Sequence, residues 1–448
     1  MNARSISARI PHPAVRLILG LFALIASGTA LLALPWAGTS RPLTLSEAGF
    51  TAVSALTTTG LSVIQPGRDL TLFGQLVLLL LMQFGAIGFV ALAVIIFRLI
   101  GRRITFAERL ALRDSLGVVD LWAIVDLVRR VLVGVLAIEA LGTLLLWWGW
   151  AGRFGVGRAL YLALFHSVSA FCNASFDLFG GGGNVTTNPF PADSYTLLVI
   201  ALLISLGSIG IPVIADLLDW RSHPRLRLHT KLTLSVWMIL TIAGTALVFV
   251  SESQGATAFG SDPPLRRLLL ALFHVIASRT SGFNVQPIEA LAPASVLTLM
   301  ALMFIGGSPA STAGGITTGS FSVLVLAASA YVRGADEIRI GRRAISRDSV
   351  HKAVAILIVS AALVIIGAWL LMVTQGATLE HALFEAVSAF ATCGFSLGLT
   401  GNLNGFGRLV VALLMIWGRL GPLTIVAAMT RAHRPSPISY PEERILVG

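Results

Sequence analysis

One short polar segment occurs four times along the chain at intervals of roughly 110 residues: SALTTTGLS at 54–62, SAFCNASFD at 169–177, ASRTSGFN at 277–284 and SAFATCGFS at 388–396. A fixed period of this kind means one structural unit used repeatedly. Each copy follows an amphipathic stretch of about a dozen residues and precedes a long apolar run, so each is a polar loop held between hydrophobic segments. Four such loops can surround one axis.

The surrounding sequence sets the solvent. Hydrophobic residues make up 56% of the chain and charged residues 12%, far more apolar than a soluble globular protein, and runs near the bilayer length of about 20 residues recur. Spanning segments are predicted near 14–34, 74–97, 126–149, 194–218, 231–250, 293–330, 350–374 and 405–430. Shorter apolar helices at 46–57, 158–171, 265–278 and 379–391 cannot cross and are predicted to be re-entrant. The expected fold is an all-α polytopic membrane protein: four membrane-pore-membrane repeats, with eight spanning helices and four re-entrant pore helices, around one pore. The repeats are 1–113, 114–221, 222–343 (with a broken last helix) and 344–430, followed by a tail at 431–448.

Charge orients this arrangement. Arg and Lys cluster at Arg4, Arg9 and Arg16; at Arg98, Arg102, Arg103, Arg109 and Arg113; at Arg221, Arg225, Arg227 and Lys231; at Arg333, Arg339, Arg342, Arg343, Arg347 and Lys352; and at Arg431, Arg434 and Arg444. All fall on one side of the eight-span arrangement, which the positive-inside rule makes cytoplasmic, with both termini inside. Basic loops facing an anionic leaflet account for the formal charge of +11, and with no soluble basic domain a nucleic-acid role is excluded. The apolar run after Arg16 is expected to be an uncleaved first span rather than a secretory signal, because its removal would leave the first repeat without its outer helix. Cys172 and Cys393 lie in two of the loops and are expected as small buried packing groups, a disulfide being the alternative.

Irregular backbone at membrane depth is tolerated only where protein buries it or where it lines an aqueous path. The candidate ion-filter positions are the loop centres: Thr58, Thr59 and Gly60; Asn173, Ala174 and Ser175; Thr280, Ser281 and Gly282; Thr392, Cys393 and Gly394. Glycine tolerates positive φ, so successive carbonyls can turn toward a common axis, where rings of them replace the hydration shell of an alkali cation. The half-helices end at the loops, and their negative dipole ends favour a cation there. Anion transport would need helix N-termini or arginines instead. Glycines that merely cap helices would not recur in register.

Two further intramembrane signals stand out. Gly306, Gly307, Gly314, Gly315, Gly319 and Pro309 break the 293–330 span in its middle. Arg419 lies inside an apolar run, where a guanidinium must be paired or hydrated; it either bonds loop carbonyls near 306–319 and holds a gate, or places a positive barrier beneath the filter, snorkelling being the alternative. Glu139 also sits in an apolar run, as an ion site or as a packing or interfacial group. His166 and His274 precede two loops, as packing or pH-sensing groups. Asp177 and Glu289 follow filters and are expected at the outer mouth.

The four loops, with MFIGGSPASTAGGITTGSF at 303–321, GRLGPLTIVAAM at 418–429 and YPEERILVG at 440–448, resemble the Trk, Ktr and HKT superfamily of potassium transporters over essentially the whole chain. The last two motifs are most similar to the Ktr-type membrane subunit. The resemblance implies potassium uptake, a homodimer with one pore per protomer in the bacterial inner membrane, and a cytoplasmic ring of nucleotide-binding regulatory subunits. K+ is then the cargo, with Na+ as a second candidate, and no organic cofactor is expected on this chain. It also implies that Gly306, Gly307, Ser308, Pro309, Ala310, Ser311, Thr312, Ala313, Gly314, Gly315 and Thr317 form a gating loop below the filter, with Arg419 facing it.

Two residues depart from the family pattern: Ser175 replaces a filter glycine, and Thr317 stands where the Ktr-type loop usually carries lysine. The first predicts weaker discrimination between K+ and Na+, and the second a gate held differently. A coupled K+/Na+ or K+/H+ symporter is the competing transport reading, although paired carboxylates or histidines within spans are scarce. A membrane-embedded enzyme would need clustered acid-base or metal-ligand motifs, which the sequence lacks, and a scaffold would give no reason for four matched polar loops.

Overall fold

The structure, a computed structural model, describes residues 13–87, 124–179, 190–218, 226–254, 258–309, 311–335, 337–340 and 343–421. Ala310, the terminal YPEERILVG motif, most of the 418–429 motif and the basic clusters at 98–113 and 431–444 lie outside them.

The described chain is mostly helical. A long helix, then a short one, then a polar turn, then a second long helix occurs four times. The first set is α1 (Pro13–Leu32), α2 (Leu45–Leu56) and, after the short α3 (Pro66–Asp69), α4 (Leu72–Ile87). The second is α5 (Ile124–Phe154), α6 (Val156–Phe171) and α7 (Ser194–Ile209), extended by α8 (Ile211–Leu218). The third is α9 (Leu228–Glu252), α10 (Pro264–Ser278) and a broken pair, α11 (Pro293–Phe304) and α12 (Thr318–Val332). The fourth is α13 (Arg347–Gln375), α14 (Leu379–Phe390) and α15 (Gly405–Leu420). A two-stranded ribbon, β1 (Arg339–Ile340) with β2 (Arg343–Ala344), joins α12 to α13.

The predicted half-helices match α2, α6, α10 and α14 to within two residues. The predicted span at 194–218 is instead two helices, because Gly210 adopts φ 92 between α7 and α8, a conformation that L side chains resist. Gly421 ends α15 with φ 78, and the break after α11 is the same interruption made longer.

Within α5, α9 and α13, the segments Val131–Phe154, Leu228–Glu252 and Arg347–Gln375 are long and apolar enough to cross a membrane. Their outward faces carry Leu141, Leu144, Trp148, Ile239, Ile242, Leu247, Ile365, Ile366 and Trp369, all exposed. So wide an apolar exterior suits hydrocarbon rather than water. The short helices are the inverse. Phe165, Phe273, Phe384 and Phe390 are fully buried, and Ala163, Ala170, Ala271, Ala277, Ala386 and Ala389 let the surrounding helices close on them. Two of the first turns are fixed by side-chain caps: Thr44 and Glu47 form a capping box on α2, and Thr378 caps α14.

Packing between the sets runs in one direction. The last helix of each lies against the short helix of the next, α4 on α6, α7 on α10 and α11 on α14, and α15 returns to α2. The order closes on itself and leaves the four turns facing inward.

Candidate functional site

Three turns leave their helices identically. Thr57, Cys172 and Ala391 bond to the carbonyls four residues back; the Thr59, Ala174 and Cys393 N–H groups then reach back five residues, to Ser54, Ser169 and Ser388, at 2.8, 2.8 and 2.9 Å. This geometry requires a left-handed residue between, supplied by Thr58 (φ 54), Asn173 (φ 56) and Thr392 (φ 49). None is glycine, so each costs about 1 kcal/mol or more, which the five-residue hydrogen bonds offset. The third unit is one residue shorter between Phe273 and Gly282, but its turn from helix cap to glycine, Arg279 to Gly282, is as long as the others. It carries no left-handed residue before the glycine, and Ser281 and Gly282 both bond back to Ala277, at 2.8 and 2.9 Å.

The turns converge. A Cβ added at Gly60 would strike the Ala174 carbonyl and Ser175, at Gly282 the Cys393 carbonyl, and at Gly394 the Thr59 carbonyl. The carbonyl oxygens of the middle residues of three turns therefore crowd one point, and glycine at the next position (φ 85, 67 and 100) is what permits it. Ser175 occupies that position in the second turn at φ 57. Its hydroxyl points inward, 3.1 Å from the Cys393 carbonyl and 3.4 Å from that of Thr59. Asn173 Oδ1, Thr280 Oγ1 and Thr392 Oγ1 are buried with no hydrogen-bond partner among the described residues, so oxygen ligands line the same space. No group of His, Cys, Asp and Glu suited to a metal ion occurs among the described residues.

The segment between α11 and α12 lies directly beneath. The Thr312 carbonyl accepts from Thr58 Oγ1 at 3.1 Å, and Thr312 Oγ1 accepts from Asn173 Nδ2 at 2.5 Å. A Cβ at Gly314 would meet Thr392, and one at Gly307 would lie 3.1 Å from Thr280 Cγ2. The segment thus touches the first residue of all four turns. Ser308 N and Thr312 Oγ1 tie it to the end of α7, bonding the Ser208 and Gly207 carbonyls at 3.0 and 3.1 Å. Thr317 caps α12, accepting from Ser320 N at 3.4 Å. Arg419 does not snorkel: its guanidinium bonds the carbonyls of Thr312 and Gly85.

The profile of a family described as TrkH, cation transport protein, matches residues 2–439. The chain belongs to this family. It is 34% identical over 432 residues to the Ktr system potassium uptake protein B of Bacillus subtilis, covering 96% of both chains. It is 31% identical over 439 residues to the potassium/sodium uptake protein NtpJ of Enterococcus hirae, again covering 96% of each. The crystal structure of the potassium transporter TrkH from Vibrio parahaemolyticus superposes with a TM-score of 0.75 at 19% identity, over 95% of this chain and 86% of that one, which shows a shared fold. The chain is a polytopic membrane protein of a transporter family rather than of an enzyme class.

Around this TrkH-family site, other expected residues fall differently. Glu139 is buried between α4 and α6; it accepts from Gln83 Nε2 at 3.0 Å and faces the Cys172 thiol at 3.7 Å. It backs the second turn and is not interfacial. Cys172 and Cys393 are free and buried. His166 takes the Leu178 N–H on Nε2 at 3.3 Å while Nδ1 faces the Leu162 carbonyl, and Phe283 of the third turn packs 6.5 Å from its ring. His274 stacks in the same way on Phe395 of the fourth turn, at 6.4 Å. Both histidines are packing groups between neighbouring units. Asp177 is 5% exposed and accepts from Phe179 N at 2.8 Å, so it is not a free mouth charge; Glu289 lines an open cleft with His381 and Asn402.

Three features escaped the sequence reading. Glu385, buried in α14, accepts from Ser396 Oγ at 2.7 Å and from Thr400 Oγ1, bracing the chain after the fourth turn. Arg279, 1% exposed, ends α10. Gly85, Gly207 and Gly418 let α4, α7 and α15 approach the last carbonyls of α2, α6 and α14, those of Leu56, Phe171 and Phe390. A repeated G-x-x-G spacing, at 85–88, 207–210 and 418–421, was the available signal.

Proposed function

We propose that this chain is the ion-translocating subunit of a bacterial potassium uptake system. In this reading four membrane-pore-membrane repeats surround one pore. Dehydrated K+ passes the ring formed by residues 58–60, 173–175, 280–282 and 392–394, and the 305–317 segment restricts its exit. The carrying observation is the convergence of the Thr59, Ala174 and Cys393 carbonyls directly above a segment that touches all four turns. Carbonyl oxygens suit an alkali cation, and four helix C-termini aimed at the same place favour positive charge. The names of the relatives, potassium uptake and potassium/sodium uptake proteins, agree. Basic loops facing the cytoplasm, both termini inside, a homodimer and a cytoplasmic nucleotide-binding ring complete the proposal, as does the division at 113, 221, 343 and 430.

Ser175 favours a second form of the same reading, a pore of relaxed selectivity that also passes Na+, because its hydroxyl bonds two of the carbonyls a K+ ion would use. The test is K+ and Na+ flux into proteoliposomes holding the purified protein, with Gly282→Asp as the blocked control. Uptake abolished by that change is expected. Absence of flux from folded protein, both alone and with its cytoplasmic partner, would refute the proposal.

A further inference from the structure

Arg279 is the residue of this site that neither charge pairing nor helix formation explains. It stands at the C-cap of α10, where the other three short helices end in Thr57, Cys172 and Ala391. Its side chain is almost fully buried, and the ion pairs among the described residues all lie elsewhere. A buried guanidinium without a carboxylate is costly unless carbonyl dipoles replace water around it. Here they do. One terminal nitrogen donates to the Gly306 carbonyl at 3.0 Å and the other to the Trp237 carbonyl of α9 at 3.3 Å, and the guanidinium lies 5.9 Å from the Trp237 ring centroid. The negative end of α10 adds to this cradle, and cation–π attraction does the same. The Nε–H has no hydrogen-bond partner among the described residues.

Gly306 is the root of the 305–317 segment, the first residue past the C-cap of α11, at φ 46. A Cβ there would strike the Gly314 carbonyl, so its backbone is confined to this path. On the other side Arg279 is bonded through the chain directly to Thr280, Ser281 and Gly282. Arg419 holds a different point of the segment, the Thr312 carbonyl at its middle. Two arginines therefore grip the segment at root and centre, and only Arg279 is itself part of an ion-lining turn.

We infer that Arg279 is a positioning residue that couples the third filter turn to the root of the glycine-rich segment, so that the segment's swing and the spacing of that turn change together. Releasing the Gly306 carbonyl frees the root to move, and the same loss relaxes the backbone that carries Thr280 and Gly282. The inference rests on the reading of 305–317 as the restriction in the ion path.

The test uses the full chain with Ser311→Cys as a reporter, since the native cysteines are buried. The rate of modification by a water-soluble maleimide is measured with Arg279 intact, with Arg279→Gln and with Arg279→Lys, alongside K+ and Na+ flux. Loss of one charge-assisted hydrogen bond corresponds to roughly ten-fold or more in an equilibrium constant. Arg279→Gln is expected to speed labelling by about that factor and to change the K+/Na+ flux ratio, with Arg279→Lys between the two. A residue with only a structural role would lower the yield of folded protein and leave that ratio alone. If Arg279→Gln does not fold, Arg279→Lys decides, because it keeps the charge but loses the two-carbonyl fork; labelling and ion ratio equal to the parent's overturn the inference. Native protein that passes neither ion, both alone and with its cytoplasmic partner, sinks the transport reading and this inference with it. A parent that conducts, with folded variants matching it in both readouts, sinks the inference alone.

Discussion

Replacing Ser175 by glycine separates the chemistry of the ring from its stability. Ser175 holds φ 57, which costs a residue with a Cβ about 1–2 kcal/mol. Its single hydroxyl proton is shared between acceptors at 3.1 and 3.4 Å, worth a net contribution of about 0.5–1.5 kcal/mol. Glycine also loses about 0.5–1 kcal/mol more than other residues in backbone entropy on folding. These terms offset, so Ser175→Gly is expected to change stability by no more than about 1.5 kcal/mol. Its effect on ions is larger. The hydroxyl stands among the other turns, 2.8 Å from where a Cβ would lie on either Gly282 or Gly394. Its proton competes for the Thr59 and Cys393 oxygens chiefly with K+, the ion whose lost hydration shell a full set of carbonyls replaces. Returning both to the ion by removing a bond of about 1 kcal/mol predicts a rise of about five-fold in the K+/Na+ permeability ratio. Paired K+ and Na+ fluxes in proteoliposomes, with thermal denaturation as a folding check, measure it. Ser175→Ala, which keeps the Cβ and removes the proton, identifies the cause: a ratio that moves with both variants assigns it to the hydrogen bond. An unchanged ratio in folded Ser175→Gly protein refutes the reasoning.

Two packing predictions test the frame around the ring. Glu385→Ala removes the acceptor shared by the buried Ser396 and Thr400 hydroxyls, which keep only their 3.1 Å bond to each other, with an expected loss of about 1–3 kcal/mol from the one donor left unsatisfied; the denaturation midpoint should fall clearly, and less for Glu385→Gln. Gly418→Ala sets a Cβ against the Phe390 carbonyl and is expected to cost about 1–3 kcal/mol. Gly134→Ala has nothing within 4 Å of the added Cβ and should be neutral or slightly stabilising, so equal midpoints for the two glycine variants would contradict the packing described.

Much of the arrangement was legible in the chain because it rests on local chemistry. The four short helices lie next to polar turns, and two of them, α2 and α14, carry their own side-chain caps. Glycine at 60, 282 and 394 announces positive φ, and clustered glycines break a long apolar run wherever it folds. The link from Arg419 to the 306–319 stretch could also be foreseen, since a guanidinium in an apolar run has few alternatives to backbone carbonyls. The shorter third unit had no reason in sequence; the structure shows its turn closing without the left-handed residue the other turns carry. Gly210 was read through as part of one span because an isolated glycine in an apolar run does not reveal its φ.

The sequence by itself therefore determined the elements, their repetition and the places where the backbone departs from helix, because those depend on residues a few positions apart. Only the tertiary structure decided which turn meets which. Ser175 finds acceptors 116 and 218 residues away, Glu139 finds Gln83 across 56, and Arg279 finds Gly306 across an intervening helix. The physical reason is the closed order of packing. Each turn's neighbours are set by how four sets of helices bury their small-residue faces against one another, and that choice is made by the assembled surfaces rather than by any single segment.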